Sequence, residues 1–167
     1  MTPEQIHLLI NHFPLHGLLI SAIVLWIGLL LKRDAITICG LAVTLLCCLS
    51  IPFVMGSGEA AFERFQNEAH LQSILTDEDL AAAKQHYDQA ETGAKASYLL
   101  IVLSSAALIS FFYQRKSLWK KLAWASAILC LAGLALNAWI AHSGGAIRRP
   151  DFRSDDRVTL KVETPAP

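Results

Sequence analysis

Four stretches of the chain, at 14–31, 35–55, 96–113 and 122–141, run without a single Asp, Glu, Lys or Arg. About 20 helical residues at roughly 1.5 Å each span about 30 Å of hydrocarbon, so each stretch can cross a bilayer. Backbone in lipid must satisfy its own hydrogen bonds, which leaves helices or closed barrels. The runs lack the alternation of a barrel strand. With 54% hydrophobic and 17% charged residues, against about 25% charged in soluble domains, the expected fold is all-α. It is an integral membrane four-helix bundle in one domain, 1–152, with a tail at 153–167.

Loop charges orient the bundle. The turn after the first run holds Lys32 and Arg33, and the third connection holds Arg115, Lys116, Lys120 and Lys121 without an acid. Both belong on the cytoplasmic side. The second connection, 56–95, carries eight acids against Arg64, Lys84 and Lys95, and belongs outside together with both termini. The expected location is a bacterial inner membrane, crossed several times. No basic patch dominates any segment, so nucleic acid is not a partner. Met1 to Gln5 has no basic residue and no small-residue cleavage site follows, so the first run is not read as a cleaved signal.

Along the chain, Thr2-Pro3 followed by Gln5 marks a helix start. Pro14 should break that helix near His12, giving a short interfacial helix to Asn11. Pro52 should kink the second span. The outer loop reads as helical, first over Glu59 to Leu71 and then from Thr76, whose hydroxyl caps a first turn of three acids. This second helix can run on into the third span, although Gly93 weakens it. Gly144 and Gly145 should end the last span. Cys39, Cys47, Cys48 and Cys130 have neither zinc nor c-type haem spacing and read as small apolar filler. No internal repeat is evident.

All six histidines, His7, His12, His16, His70, His86 and His142, fall on the outer half by an orientation taken from Lys and Arg alone. Polar groups at membrane depth are costly unless paired or ligated. Zinc would call for Cys or carboxylate at close spacing. Haem b needs two neutral imidazoles from different helices, an apolar slot and cations for its propionates. His12 with His86, or His12 with His142, can supply the ligands, with His7 and His16 as alternatives. Gly17 can admit the ring edge, and Arg148 or Arg149 can reach propionates. Against this stands the plain reading, in which each histidine is an amphipathic interface residue satisfied by headgroups or water, and His12 a structural cap.

Ile6-His-Leu-Leu-Ile-Asn-His-Phe-Pro14, Gly58-Glu-Ala-Ala61, His86 with Ala90, and Gly144-Gly-Ala-Ile-Arg148 resemble the motifs of a family of small, uncharacterised bacterial four-span membrane proteins. The resemblance covers Ile6 to about Phe152. It implies His7, His12 and His86 as shared histidines. The family's last motif usually ends in histidine where this chain has Arg149, and His142 is the nearby substitute. The family brings no established activity; a b-type cytochrome role is inferred from its histidines.

The expected function is therefore electron transfer. Haem b is held near the outer face and exchanges electrons with quinol or a periplasmic c-type cytochrome, as a carrier or oxidoreductase subunit more than a stand-alone enzyme. The alternative is a non-enzymatic membrane subunit or assembly factor, whose acidic outer loop, through Glu63, Glu68, Asp77 and Asp79, docks a partner or other membrane subunits.

Overall fold

The computed structural model describes residues 1–147, all of whose regular structure is helical: α1 (Pro3–Ile10), α2 (Phe13–Leu30), α3 (Asp34–Leu49), α4 (Ile51–Asn67), α5 (Ala69–Gln72), α6 (Asp77–Phe112) and α7 (Lys116–Ala146). Counting α1 with α2 and α3 with α4, four helical rods are long and apolar enough to cross a membrane. Prolines make the two breaks. Pro14 has no N–H to give the Ile10 carbonyl, and Pro52 has none for Cys48. At the second break the Ser50 hydroxyl bonds back to the Cys47 carbonyl at 2.6 Å. Neither α6 nor α7 contains proline, and both run unbroken.

The outer loop differs from the expected pattern at one point. The helix expected to begin at Glu59 is the continuation of the second rod, because α4 starts at Ile51 and runs to Asn67. Thr76 caps α6 as expected, accepting from the Asp79 amide at 3.1 Å while the Asp79 carboxylate accepts from the Thr76 amide at 2.9 Å. α6 then continues for 36 residues, about 54 Å, and so projects well beyond its apolar half.

The rods pack as an up-and-down bundle. α2 lies against α3 and α7, and α6 lies against α7 and α3. Across the diagonal, α2 and α6 meet through Leu18 and Leu100, both fully buried. Close approach depends on small side chains, as is usual where apolar surroundings remove the hydrophobic drive for helices to associate. Ser21 donates to the Gly40 carbonyl at 3.2 Å and bonds the Thr44 hydroxyl. A belt of large apolar residues, including Ile20, Ile23, Val102, Ile109, Ile128 and Leu131, stays exposed around the outside. An exposed apolar belt of this kind is a surface for lipid or a partner.

The two hairpins repeat one another, which the sequence reading missed. Lys32 and Gln114 stand at the same place in their turns and share a left-handed backbone, with φ of 54° and 57°. The next residue, an arginine in each case, donates its amide five residues back: Arg33 to the Gly28 carbonyl at 2.8 Å, and Arg115 to the Ser110 carbonyl at 2.9 Å. Carrying the same offset of 82 residues (114 − 32) through the bundle pairs several buried positions with buried positions. Leu18 pairs with Leu100, Leu25 with Ala107, Leu41 with Ala123, Thr44 with Ser126 and Cys48 with Cys130. Parallel repeats of this kind are related by an axis along the bundle.

The packing gives a direct test. A methyl at Gly40 would lie 2.9 Å from the Leu25 amide nitrogen and 2.8 Å from Leu25 Cγ, whereas one at Gly56 meets nothing within 4 Å. Gly40→Ala is expected to lower stability by about 1–3 kcal/mol through overpacking. Gly56→Ala is expected to leave it unchanged or raise it by up to about 1 kcal/mol. Thermal unfolding in detergent reads both. Equal midpoints for the two variants would contradict the packing.

Candidate functional site

At the end of the bundle opposite Lys32 and Gln114, the imidazoles of His7 and His86 meet edge to face. Their centroids are 6.4 Å apart and their planes cross at 78°. His7 comes from α1 and His86 from α6, each beyond the apolar part of its rod. Each ring leans on the other helix of its own hairpin, His7 on the first turns of α4 and His86 on the last turn of α7. His7 Nδ1 lies 3.1 Å from the Val54 carbonyl and 3.2 Å from Ser57 Oγ. His86 Nδ1 lies 3.0 Å from Ser143 Oγ.

These contacts favour one tautomer. A hydroxyl has one hydrogen to give. Ser57 Oγ lies 2.9 Å from the Val54 carbonyl and Ser143 Oγ 2.8 Å from the Ile140 carbonyl, both placed to donate to them. Serine oxygens engaged in this way accept from the imidazoles, which favours the proton on Nδ1 of both rings and leaves the lone pair of the neutral ring on Nε2. Burial holds the pKa of both rings below the ordinary histidine value. For His7 the Val54 carbonyl opposes that shift and His12 adds to it; for His86, His7 adds to it and the Ile140 carbonyl opposes it. The neutral, ligating form is favoured.

Glycine makes room for each ring. A methyl on Gly58 would sit 2.9 Å from His7 Cε1, and one on Gly144 would sit 2.9 Å from His86 Cε1. This corrects the reading of Gly144 and Gly145 as a helix stop. α7 runs through both to Ala146, and Gly144 is where the imidazole packs. Asn11 Oδ1 and Gln89 Oε1 are buried without a hydrogen-bond partner among the described residues. Asn11 is four residues on from His7 and Gln89 three on from His86, which places them on the same faces as the rings.

The other expected site residues fall elsewhere. His12 is not brought to His86. It is exposed beside His16, with ring centroids 6.0 Å apart, and its carbonyl accepts from His16 Nδ1 at 2.8 Å. Gly17 is buried against Cys47, so its missing side chain serves helix packing. His142 and His70 are exposed. Arg148 and Arg149 lie outside the described residues. The cysteines are free, three of the four buried, as filler would be.

α1, already joined to α4 through His7, is tied down a second time by Arg64. Its guanidinium bridges Glu4 of α1, at 2.8 and 2.9 Å, and Glu68, at 2.6 and 2.9 Å. Paired hydrogen bonds of this fork geometry are strong and directional. The guanidinium holds the Glu68 carboxyl below its usual pKa. The sequence reading treated Arg64 only as a minority cation in an acidic loop; nothing in the chain order pairs residue 4 with residue 64. Glu68 and Asp79, two of the four acids proposed to dock a partner, are thus engaged internally.

Arg64→Ala is expected to speed hydrogen exchange at the α1 amides while leaving those in the middle of α7 unchanged. Because the Glu68 pKa is depressed, its own pair with Arg64 is present above the ordinary carboxylate range and is lost as pH falls through the lowered value. Unchanged α1 exchange in the variant would show that the bridge does not hold α1. Comparison with known proteins leaves the site to be read from its own geometry: no family model, curated protein or solved structure matches the chain.

Proposed function

We propose that the chain is a multi-pass membrane protein that holds haem b between His7 and His86 and passes electrons at the outer face. The observation that carries this reading is the meeting of two imidazoles from different hairpins, 6.4 Å apart between centroids, each with its Nδ1 on a serine hydroxyl. Metal-bound histidines usually give their other ring N–H to a carbonyl or similar acceptor, which fixes tautomer and orientation; with Nδ1 so engaged, each Nε2 would be left to hold the iron.

The donor count selects the kind of centre. No group of three His, Cys, Asp or Glu side chains able to hold a metal occurs among the described residues. A zinc site needs three or four protein ligands. Haem needs two, because the macrocycle supplies the rest, and when bound it provides a one-electron couple without an open axial position. The two glycines that let the rings settle and the unpartnered amide oxygens of Asn11 and Gln89 support a guest at this place. The resemblance to the four-span family is part of the same reading, since it implies His7 and His86 among the shared histidines.

Sidedness follows from the charges. Lys32, Arg33, Arg115, Lys116, Lys120 and Lys121 gather at the end away from the histidines, which the positive-inside rule puts in the cytoplasm. The imidazole pair then stands at the outer face, within reach of quinol in the membrane or a periplasmic c-type cytochrome.

The test is optical. Protein purified from haem-sufficient cells is expected to show a Soret band and a pyridine haemochrome of b type. His7→Ala and His86→Ala should each abolish or strongly shift the band, while His12→Ala and His16→Ala should leave it unchanged. A wild-type protein without a Soret band, or a band that survives in the His7→Ala, His86→Ala double variant, would refute the proposal.

A further inference from the structure

The hairpin repeat extends to the histidine site and assigns roles to residues outside the pair itself. Val54-Met-Gly-Ser57-Gly58-Glu-Ala60 and Ile140-Ala-His-Ser143-Gly144-Gly-Ala146 share a pattern of β-branched residue, two variable positions, Ser-Gly, one variable position and Ala. In each copy the serine hydroxyl donates three residues back, to Val54 or Ile140, and its oxygen receives the imidazole N–H of its own hairpin. In each copy the glycine that follows lies under the ring. From His to turn the second hairpin is three residues longer (86 to 114 against 7 to 32), and from turn to Ser it is four longer (114 to 143 against 32 to 57). Both differences are about one helical turn, so the face presented by each leg is kept while its length grows.

We infer that Ser57 and Ser143 are equivalent positioning residues, one from each repeat, which together hold His7 and His86 in the Nδ1–H form and present both Nε2 atoms to a single guest on the axis between the hairpins. This rests on the reading of the pair as a ligand site, and names the residues that prepare it. Neither serine needs to touch the guest. Each acts through its histidine, by accepting the ring proton with an oxygen whose own hydrogen is already committed.

The two half-sites are alike in their second acceptor as well: the Val54 carbonyl lies 3.1 Å from His7 Nδ1, and the Ile140 carbonyl acts on His86 in the same sense. Serine and carbonyl share each ring proton, and removing either hydroxyl should move its own ring alone. Full-length protein in detergent is labelled with 15N-imidazole histidine, and the ring tautomers are read by NMR at neutral pH. Ser143→Ala is expected to lower the Nδ1–H fraction of His86 and leave His7 unchanged. Ser57→Ala is expected to lower that of His7 and leave His86 unchanged, and Ser143→Thr should keep the wild-type spectrum.

Hemin titration of the same samples gives a second readout. Loss of such an outer-shell hydrogen bond typically weakens metal affinity about 10–100-fold, so Ser143→Ala and Ser57→Ala should each weaken hemin binding by about ten-fold. If wild-type protein takes up no hemin, the haem proposal fails and the tautomer spectra alone decide this one. Unaltered tautomers in either alanine variant would overturn the assignment.

Discussion

Two hydroxyl hydrogens determine what the histidine end of this bundle can do. Because Ser57 and Ser143 are each placed to give their proton to a main-chain carbonyl in their own helix, their oxygens accept from the imidazoles above them, which favours donation from Nδ1. Everything chemical about the pair follows from that constraint. The rings are turned edge to face, kept neutral by burial, and left with one lone pair apiece. A helix that had merely placed a histidine nearby would leave its tautomer and rotation open.

The rest of the fold serves to bring those two helix ends together. Small residues along the rods, among them Gly40 against Leu25 and Ser21 against Thr44, allow the close spacing that carries α1 and α6 to the same end of the bundle. The repeats reach the same local arrangement by different routes. The second hairpin does it with two unbroken helices. The first does it with two broken ones, interrupted before Pro14 and Pro52, and then adds the Glu4–Arg64–Glu68 bridge to help keep α1 in place. A proline break lets a short helix change direction at the membrane boundary, and the salt bridge fixes the direction it takes.

Much of this architecture was legible in the sequence because it depends on local rules. Uncharged runs of membrane length, the breaks ahead of Pro14 and Pro52, and the Thr76 cap are each set by residues within a few positions of one another. The site was less legible because it depends on contacts between residues about 50 to 80 positions apart. The four-residue spacing of His12 and His16 only places them together on an exposed helix face, while it is His7 that meets His86. Gly144 looked like a helix terminator, since glycine weakens helices; its bare Cα instead admits an imidazole. The repeat escaped notice because its shared positions are mostly matched in burial and backbone geometry, with few identical residues to align.

The central proposal is that His7 and His86 would together hold the iron of one haem b. Low-temperature electron paramagnetic resonance of the hemin-loaded protein tests it most directly, because two imidazoles on one ferric haem iron make it low-spin. The account predicts a low-spin signal that is lost in both His7→Ala and His86→Ala. A high-spin axial spectrum, or a low-spin signal that persists without either histidine, would contradict it.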